Sequence, residues 1–250
     1  MKYRYYYYLL CFLTAISSRS FGQATDSLKP QLKNTIKFNL SSQLIYGKAA
    51  LFSYERIVGP NEAFNVQVGY VELPDIIHGA NSTIVEKRSN SRSGYTIAGD
   101  YRFYLGSENR HEAPRGVYVG PYVSYYAFKS NKLASLTTTD GGTTDVTLDS
   151  KINILNFGGL LGYQFVIKRR IAIDMILIGP SISNYSVKLN MNGDLTNVDV
   201  DEKTQEYMQA LAERYPFLKD LAKNKEFKAN DSNSSWSAGF RYSLSIGYRF

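Results

Sequence analysis

The sequence predicts an all-β chain that folds as an eight-stranded antiparallel transmembrane up-and-down β-barrel, with a short helical insertion in its last outer loop. Three observations predict it. The 250 residues include 21 Tyr and 13 Phe, beyond what a soluble chain needs. After residue 22, no apolar run reaches the ~20 residues of a helical span. Finally, the last fifteen residues alternate strictly between apolar and polar. In hydrocarbon every backbone polar group needs an internal partner, so short alternating segments imply a closed barrel rather than helices.

The N-terminus is set aside first. Lys2 and Arg4 form a positive start, Tyr5 to Ser17 form an apolar stretch too short to span as a helix, and Ser20 and Gly22 are the small residues of a cleavage site. A signal peptide over 1–22, cleaved near Gly22, is therefore expected, followed by a periplasmic segment over 23–34 and the barrel over 35–250. Cys11 lies within the apolar run after Leu10, which disfavours a lipid-modified N-terminus there. Its removal leaves the mature chain without a thiol and so without disulfides or cysteine metal sites. The mature 228 residues carry 26 basic and 22 acidic groups, a net +4. That excess is too small and too scattered for a nucleic-acid binder.

The final strand is the clearest. Trp236, Ala238, Phe240, Tyr242, Leu244, Ile246, Tyr248 and Phe250 alternate with Ser237, Gly239, Arg241, Ser243, Ser245, Gly247 and Arg249. A period of two over that length places opposite faces in opposite environments. The same period marks Ile36, Phe38 and Leu40 against Lys37, Asn39 and Ser41. It also marks Phe64, Val66, Val68 and Tyr70 against Asn65, Gln67 and Gly69. Tyr95, Ile97, Tyr101, Phe103 and Leu105 alternate with Thr96, Ala98, Asp100 and Arg102, and Leu155, Phe157, Leu161, Tyr163 and Phe165 with Asn156, Gly158, Gly162 and Gln164. Ala49 to Val58, Gly116 to Lys129 and Ile171 to Leu189 alternate less cleanly and complete the eight.

Links between strands alternate in length. Short ones fall near Gly59 to Glu62, Gly106 to Arg115 and Lys168 to Arg170, and long ones over Pro74 to Arg92, Ser130 to Ser150 and Asn190 to Asn233. Barrels of the outer membrane place short turns in the periplasm and long loops outside. The last loop, 190–233, exceeds ordinary loop length and should hold helix. Asp199 or Asp201 can cap it, Tyr207, Leu211, Tyr215, Leu218 and Ala222 recur at helical spacing, and Pro216 divides it. That stripe is expected either to cover the barrel mouth or to offer an exposed docking face. Lys219, Lys223, Lys225 and Lys228 make its second half basic, either as a solvated face or as a contact for lipopolysaccharide phosphates.

Strand number, loop asymmetry and the terminal Gly247-Tyr248-Arg249-Phe250 resemble the OmpA/OmpX-like class of small eight-stranded outer-membrane barrels. Tyr54-Glu55-Arg56 before the Gly59-Pro60-Asn61 turn is similar to the second hairpin of uncharacterised members. The resemblance implies a bacterial outer-membrane location and a monomer with both chain ends in the periplasm. It also implies a C-terminal signal read by the barrel-assembly machinery, carried by Tyr242, Leu244, Ile246, Tyr248 and Phe250.

An eight-stranded interior has room for side chains and little else. The expected lumen residues are Lys37, Glu55, Asp100, Arg102, Asp174, Arg241 and Arg249, four basic and three acidic, which suggests a paired network plugging the barrel. No catalytic constellation emerges. His78 and His111 fall in links at opposite barrel ends, and neither shows the His-x-Ser pattern that a lipid A deacylase of this class would carry. Asp140 to Asp145 has neither EF-hand nor nonapeptide calcium spacing and reads as a turn. No cofactor or metal is expected. A structural or surface-interaction barrel ranks first, meeting outer-membrane lipids and lipopolysaccharide, with its outer loops open to an extracellular ligand. A narrow channel ranks second, a lipid-modifying enzyme third and a soluble secreted β-barrel last.

Overall fold

A computed structural model describes residues 32–46, 48–73, 84–106, 113–138, 140–193, 195, 198–214 and 232–250. The expected signal segment, His78, His111, Tyr215, Leu218 and the lysines beyond Arg214 lie outside the described residues, as does the side chain of Leu211. The elements run β1 (Asn34–Asn39), α1 (Ser42–Ile45), β2 (Lys48–Gly59), β3 (Glu62–Glu72), β4 (Ile84–Tyr104), β5 (Gly116–Thr137), β6 (Thr143–Ile167), β7 (Ile171–Gly193), α2 (Val200–Arg214) and β8 (Ser232–Arg249). Each strand pairs antiparallel with the next, and β8 returns to β1 from Thr35↔Arg249 to Asn39↔Ser245, closing an eight-stranded up-and-down ring. This ring falls within the unit Leu32–Phe250.

Alternation fixes the facing. Through the ring, Lys37, Glu55, Asn65, Gln67, Asp100, Arg102, Gln164 and Asp174 are buried within it, while their neighbours Ile36, Val66, Val68, Phe103 and Phe165 stand exposed outside. β7 breaks the rhythm once. Ala172, Asp174 and Ile176 are buried, a bulge intervenes between Ile176 and Gly179, and the buried set then becomes Ser183, Tyr185, Val187, Leu189 and Met191. Two residues opposing one at a bulge re-phase every side chain beyond it. This is why the alternation of Ile171 to Leu189 is blurred in the sequence.

Two of the expected long loops are partly or largely strand, and the third begins later than expected. β4 starts at Ile84, within the loop assigned to Pro74–Arg92. β5 and β6 carry the Ser130–Ser150 segment as a continuous hairpin down to a turn at residues 138–142, and β7 persists to Gly193. At that turn the Thr138 amide donates to the Gly142 carbonyl at 3.0 Å, Gly141 adopts a φ of 82°, and the Asp140 carboxylate accepts the Gly142 amide at 3.1 Å. The Asp140–Asp145 run is thus a hairpin turn running into β6. The link near Gly47 includes α1, a single helical turn that the periodicity does not predict.

The wall is uneven in height. β1, β2 and β3 have 6, 12 and 11 residues, whereas β4 to β7 have 21 to 25. The last pair joining β3 to β4 is Tyr70↔Tyr95, and above it β4 continues to Ile84 paired only with β5 among the described residues. Among the described residues the wall is therefore lower beside β3 than along β4 to β7. Inside the wall, large rings lie against glycines of the next strand. Tyr118 pairs with Gly162 and Tyr122 with Gly158, and a Cβ on Gly162 would meet the Tyr118 ring at 2.3 Å. Covering a bare glycine with a neighbouring ring lets a narrow barrel hold aromatic side chains without splaying its strands.

Candidate functional site

The interior divides into two compartments of opposite character. The first lies towards the end with the short turns and the chain termini, where β1, β2, β4, β6 and β7 each project a polar residue to a common centre. Arg102 occupies that centre. Its Nη1 donates to Glu55 Oε1 at 2.9 Å and Asp174 Oδ2 at 2.8 Å, and its Nε donates to Asp100 Oδ1 at 2.5 Å. Lys37 Nζ donates to Asp174 Oδ2 at 2.6 Å and Gln164 Oε1 at 2.9 Å, and lies 3.2 Å from Glu55 Oε2.

The carboxylates are then saturated by neutral donors. Gln164 Nε2 and the Tyr104 hydroxyl donate to Glu55, the Tyr118 hydroxyl donates to Asp174 at 2.6 Å, and Asn65 Nδ2 donates to Asp100 at 2.9 Å. Arg102 also rests over the Tyr118 ring, 4.4 Å from its centroid. One level higher, Arg241 donates to Gln67 Oε1 at 3.0 Å, stands 3.9 Å from Asp100 and covers the Tyr122 ring. Three cations thus face three anions. Removing ions from water is unfavourable by several kcal/mol each, and only a fully partnered arrangement recovers it.

The structure brings together six of the seven lumen residues named from sequence. Arg249 is the exception. Its guanidinium donates to the Leu32 carbonyl at 2.8 Å and the Arg169 carbonyl at 3.2 Å, so it ties the N-terminal segment and the β6–β7 turn together at the rim. The partners missed from sequence are Gln164, Tyr104, Tyr118, Asn65 and Gln67. All share the inward parity of the charged residues, which was the available signal. Tyrosines in an aromatic-rich barrel are otherwise assigned to the outer surface.

The second compartment, towards the loop end, is apolar, and here an inside filled with polar groups is not what forms. Leu51, Val71, Phe128, Leu136, Leu148, Ile152, Val187, Leu189 and Met191 point inwards and cluster with Tyr207, Met208 and Ala212 of α2. Tyr46, just past α1, packs against this cluster and stacks on Tyr126 and Phe128. Among the described residues the high walls of β4 to β7 face no strand of equal height, and α2 packs onto their inner face. Asp199 Oδ1 accepts the Glu202 amide at 3.0 Å and caps the helix. Tyr207 of the expected stripe is buried, but its companions are Thr204, Met208 and Ala212. Tyr207, the one residue of that stripe whose side chain is described, packs against the inner cluster. Met208→Asp is expected to unseat α2, seen as rapid tryptic cutting at Lys203 while the barrel stays folded.

Outside, the ring carries an apolar surface. Phe52, Val68, Ile97, Val123, Phe157, Ile182 and Phe240 are each more than two-fifths exposed. Exposed aromatics are spread along the outer face, from Tyr248 and Phe250 at the turn end through Phe103 and Phe52 to Tyr95 and Trp236 nearer the loop end. Tyr242, Leu244, Ile246, Tyr248 and Phe250 all face outwards on β8. From Trp236 to Tyr248 the strand covers roughly 40 Å, or roughly 30 Å along the axis at the usual tilt. In comparisons with known proteins, no family model, no curated protein and no solved structure matches this chain.

Proposed function

We propose that the mature chain is an integral outer-membrane β-barrel, exported with a cleaved signal and serving a structural or surface-interaction role. The observation that carries this is the inversion of ordinary packing: exposed apolar side chains circle the ring while Lys37, Glu55, Asp100, Arg102 and Asp174 are buried within it. Water would penalise that outer surface, and lipid would not. The outward face of β8 from Trp236 to Tyr248, roughly 30 Å along the axis, matches the thickness of a bilayer's hydrocarbon core. The meeting of Arg102 with three carboxylates across the lumen favours a plugged barrel over a conducting one. The loop-end hairpins, extended past the band and braced by α2, suit a surface held away from the membrane.

The test is heat modifiability with fractionation. Extracted in mild detergent, the chain is expected in the outer-membrane fraction and to migrate faster unboiled than boiled. Partition into the soluble periplasmic or secreted fraction would refute the proposal.

A further inference from the structure

The turn between β6 and β7 breaks a local rule. The Arg170 amide donates to the Ile167 carbonyl at 3.2 Å, and the two residues between them, Lys168 and Arg169, take φ values of 48° and 66°. Both central positions are left-handed, a pattern that favours Asn-Gly or Asp-Gly because other side chains crowd the backbone there. Among the described residues no other non-glycine residue has a positive φ. Neither side chain has an ion pair or hydrogen bond among those residues, so no contact within the chain offsets the strain. Strain kept where a better-suited residue exists marks a requirement for the side chains themselves.

The charge continues onto neighbouring strands. Arg170 follows directly, and its guanidinium donates to the Tyr248 hydroxyl and lies 5.7 Å from that ring's centroid. The Arg249 amide donates to the Arg170 carbonyl at 2.7 Å, Thr35 pairs with Arg249, and Asn34 pairs with Arg56. The Lys33 carbonyl accepts the Ile57 amide at 2.9 Å. Lys33, Arg56, Lys168, Arg169, Arg170 and Arg249 therefore share one arc of the turn-end rim from β7 through β8 and β1 to β2, roughly 15 Å wide at the usual strand spacing. All but Arg249 are exposed. None of the six forms an ion pair among the described residues. Glu55, in register with Thr35, points inwards to Lys37 and Arg102, and Glu62 accepts the Tyr101 hydroxyl. Even the carboxylate of Phe250 would offset only one of the six.

We infer that this arc binds the phosphates of acidic phospholipids in the leaflet that meets the turn end. The surroundings of the cations single out a lipid. Ile167, Ile171, Tyr248 and Phe250 lie on the same arc, face outwards and are each more than two-fifths exposed. An acyl chain has apolar wall to lie on beside each bound phosphate, and Arg170 over Tyr248 joins the two surfaces. A soluble acidic peptide would leave that apolar fringe uncovered. A zwitterionic lipid brings its own cation and would leave the arc uncompensated. Each cation near an anionic lipid surface strengthens attachment roughly fivefold, and several act here together.

The inference rests on the membrane reading, and its test separates the two. Full-length mature protein is placed in phosphatidylcholine nanodiscs that contain a small fraction of diazirine-bearing phosphatidylglycerol, or of phosphatidylcholine with the same diazirine chain. After irradiation, labelled peptides are mapped by mass spectrometry. Both probes are expected to label the outer band around Val123 and Phe157, which reports the membrane reading alone. The acidic probe should label the peptides containing Ile171 and Tyr248 roughly fivefold more than the zwitterionic one, or better. Lys168→Asn/Arg169→Gly should remove most of that preference while its urea midpoint stays equal or rises, because Asn-Gly suits the turn. Arg56→Gln, on another strand, should weaken the preference without touching the turn. Band label with no preference at the turn end, a preference undiminished in both variants, or a lower midpoint in the turn variant would overturn the inference. Loss of the preference on adding soluble poly-glutamate would overturn it too and assign the arc to an acidic peptide. Absence of band label from both probes would remove the membrane reading and the inference with it.

Discussion

Replacing Arg102 with methionine is expected to lower the stability of the refolded barrel by about 3–5 kcal/mol, the range for stranding buried charge. The guanidinium holds Glu55, Asp100 and Asp174 at once, all nearly inaccessible to solvent. Without it, Lys37 and Arg241 remain against three carboxylates. Urea titration followed by the fluorescence of the single Trp, Trp236, would measure the change. The loss should shrink sharply in Arg102→Met/Asp174→Asn, because the second change removes one stranded anion. Equal losses in the single and double variants would show that Arg102 acts through its packing on Tyr118 and not through its charge.

Phe157→Arg, on the opposite side of the wall, is expected to destabilise by about 1–4 kcal/mol in vesicles, the range for a cation on the lipid face between interface and midplane. Phe157 stands 49% exposed between Val123 and Ile182 on the apolar outer face. A surface site bathed in water would tolerate the same exchange within roughly half a kcal/mol. The measurement therefore discriminates between solvents. A neutral outcome would place the apolar band in water or in a protein interface and would remove the membrane reading.

The ring is legible where a strand keeps one phase and separates two environments along its whole length. β8 does so from Trp236 to Phe250, and β4 does so from Tyr95 to Leu105. β7 does not, because the bulge between Ile176 and Gly179 exchanges its faces halfway. The upper hairpin of β5 and β6 reads as a loop for another reason. Ser130 to Ser150 is rich in Thr, Ser and Asp, and apart from the buried Lys132 its deepest inward residues, Ala134, Leu136, Val146 and Leu148, are apolar, the reverse of the polar-in rule that holds lower down. The centre of the polar compartment is readable because ionisable groups on inward positions have to find each other. What period alone does not supply is the depth at which each residue sits. That depth separates Arg249 at the rim from Arg102 in the centre and makes Tyr104 and Tyr118 partners of carboxylates. Met208 is hidden because a helical stripe read through Tyr207 and Leu211 serves equally well when tilted by one position.

The ring is also not equally fastened around its circumference. β1 shares five registered pairs with β8 and five with β2, to which it is joined through the chain, whereas β5 and β6 share a continuous ladder from Gly116↔Gln164 to Thr137↔Thr143. Beyond Asn39 the joint continues at Leu244, whose carbonyl accepts the Leu40 and Ser41 amides and whose own amide donates to the Ser41 hydroxyl. Fluctuation parts a sheet first where its ladder is shortest. The two ends of the polypeptide thus meet at the barrel's natural zip, and the order in which the cylinder comes undone is already written in the length of its first strand.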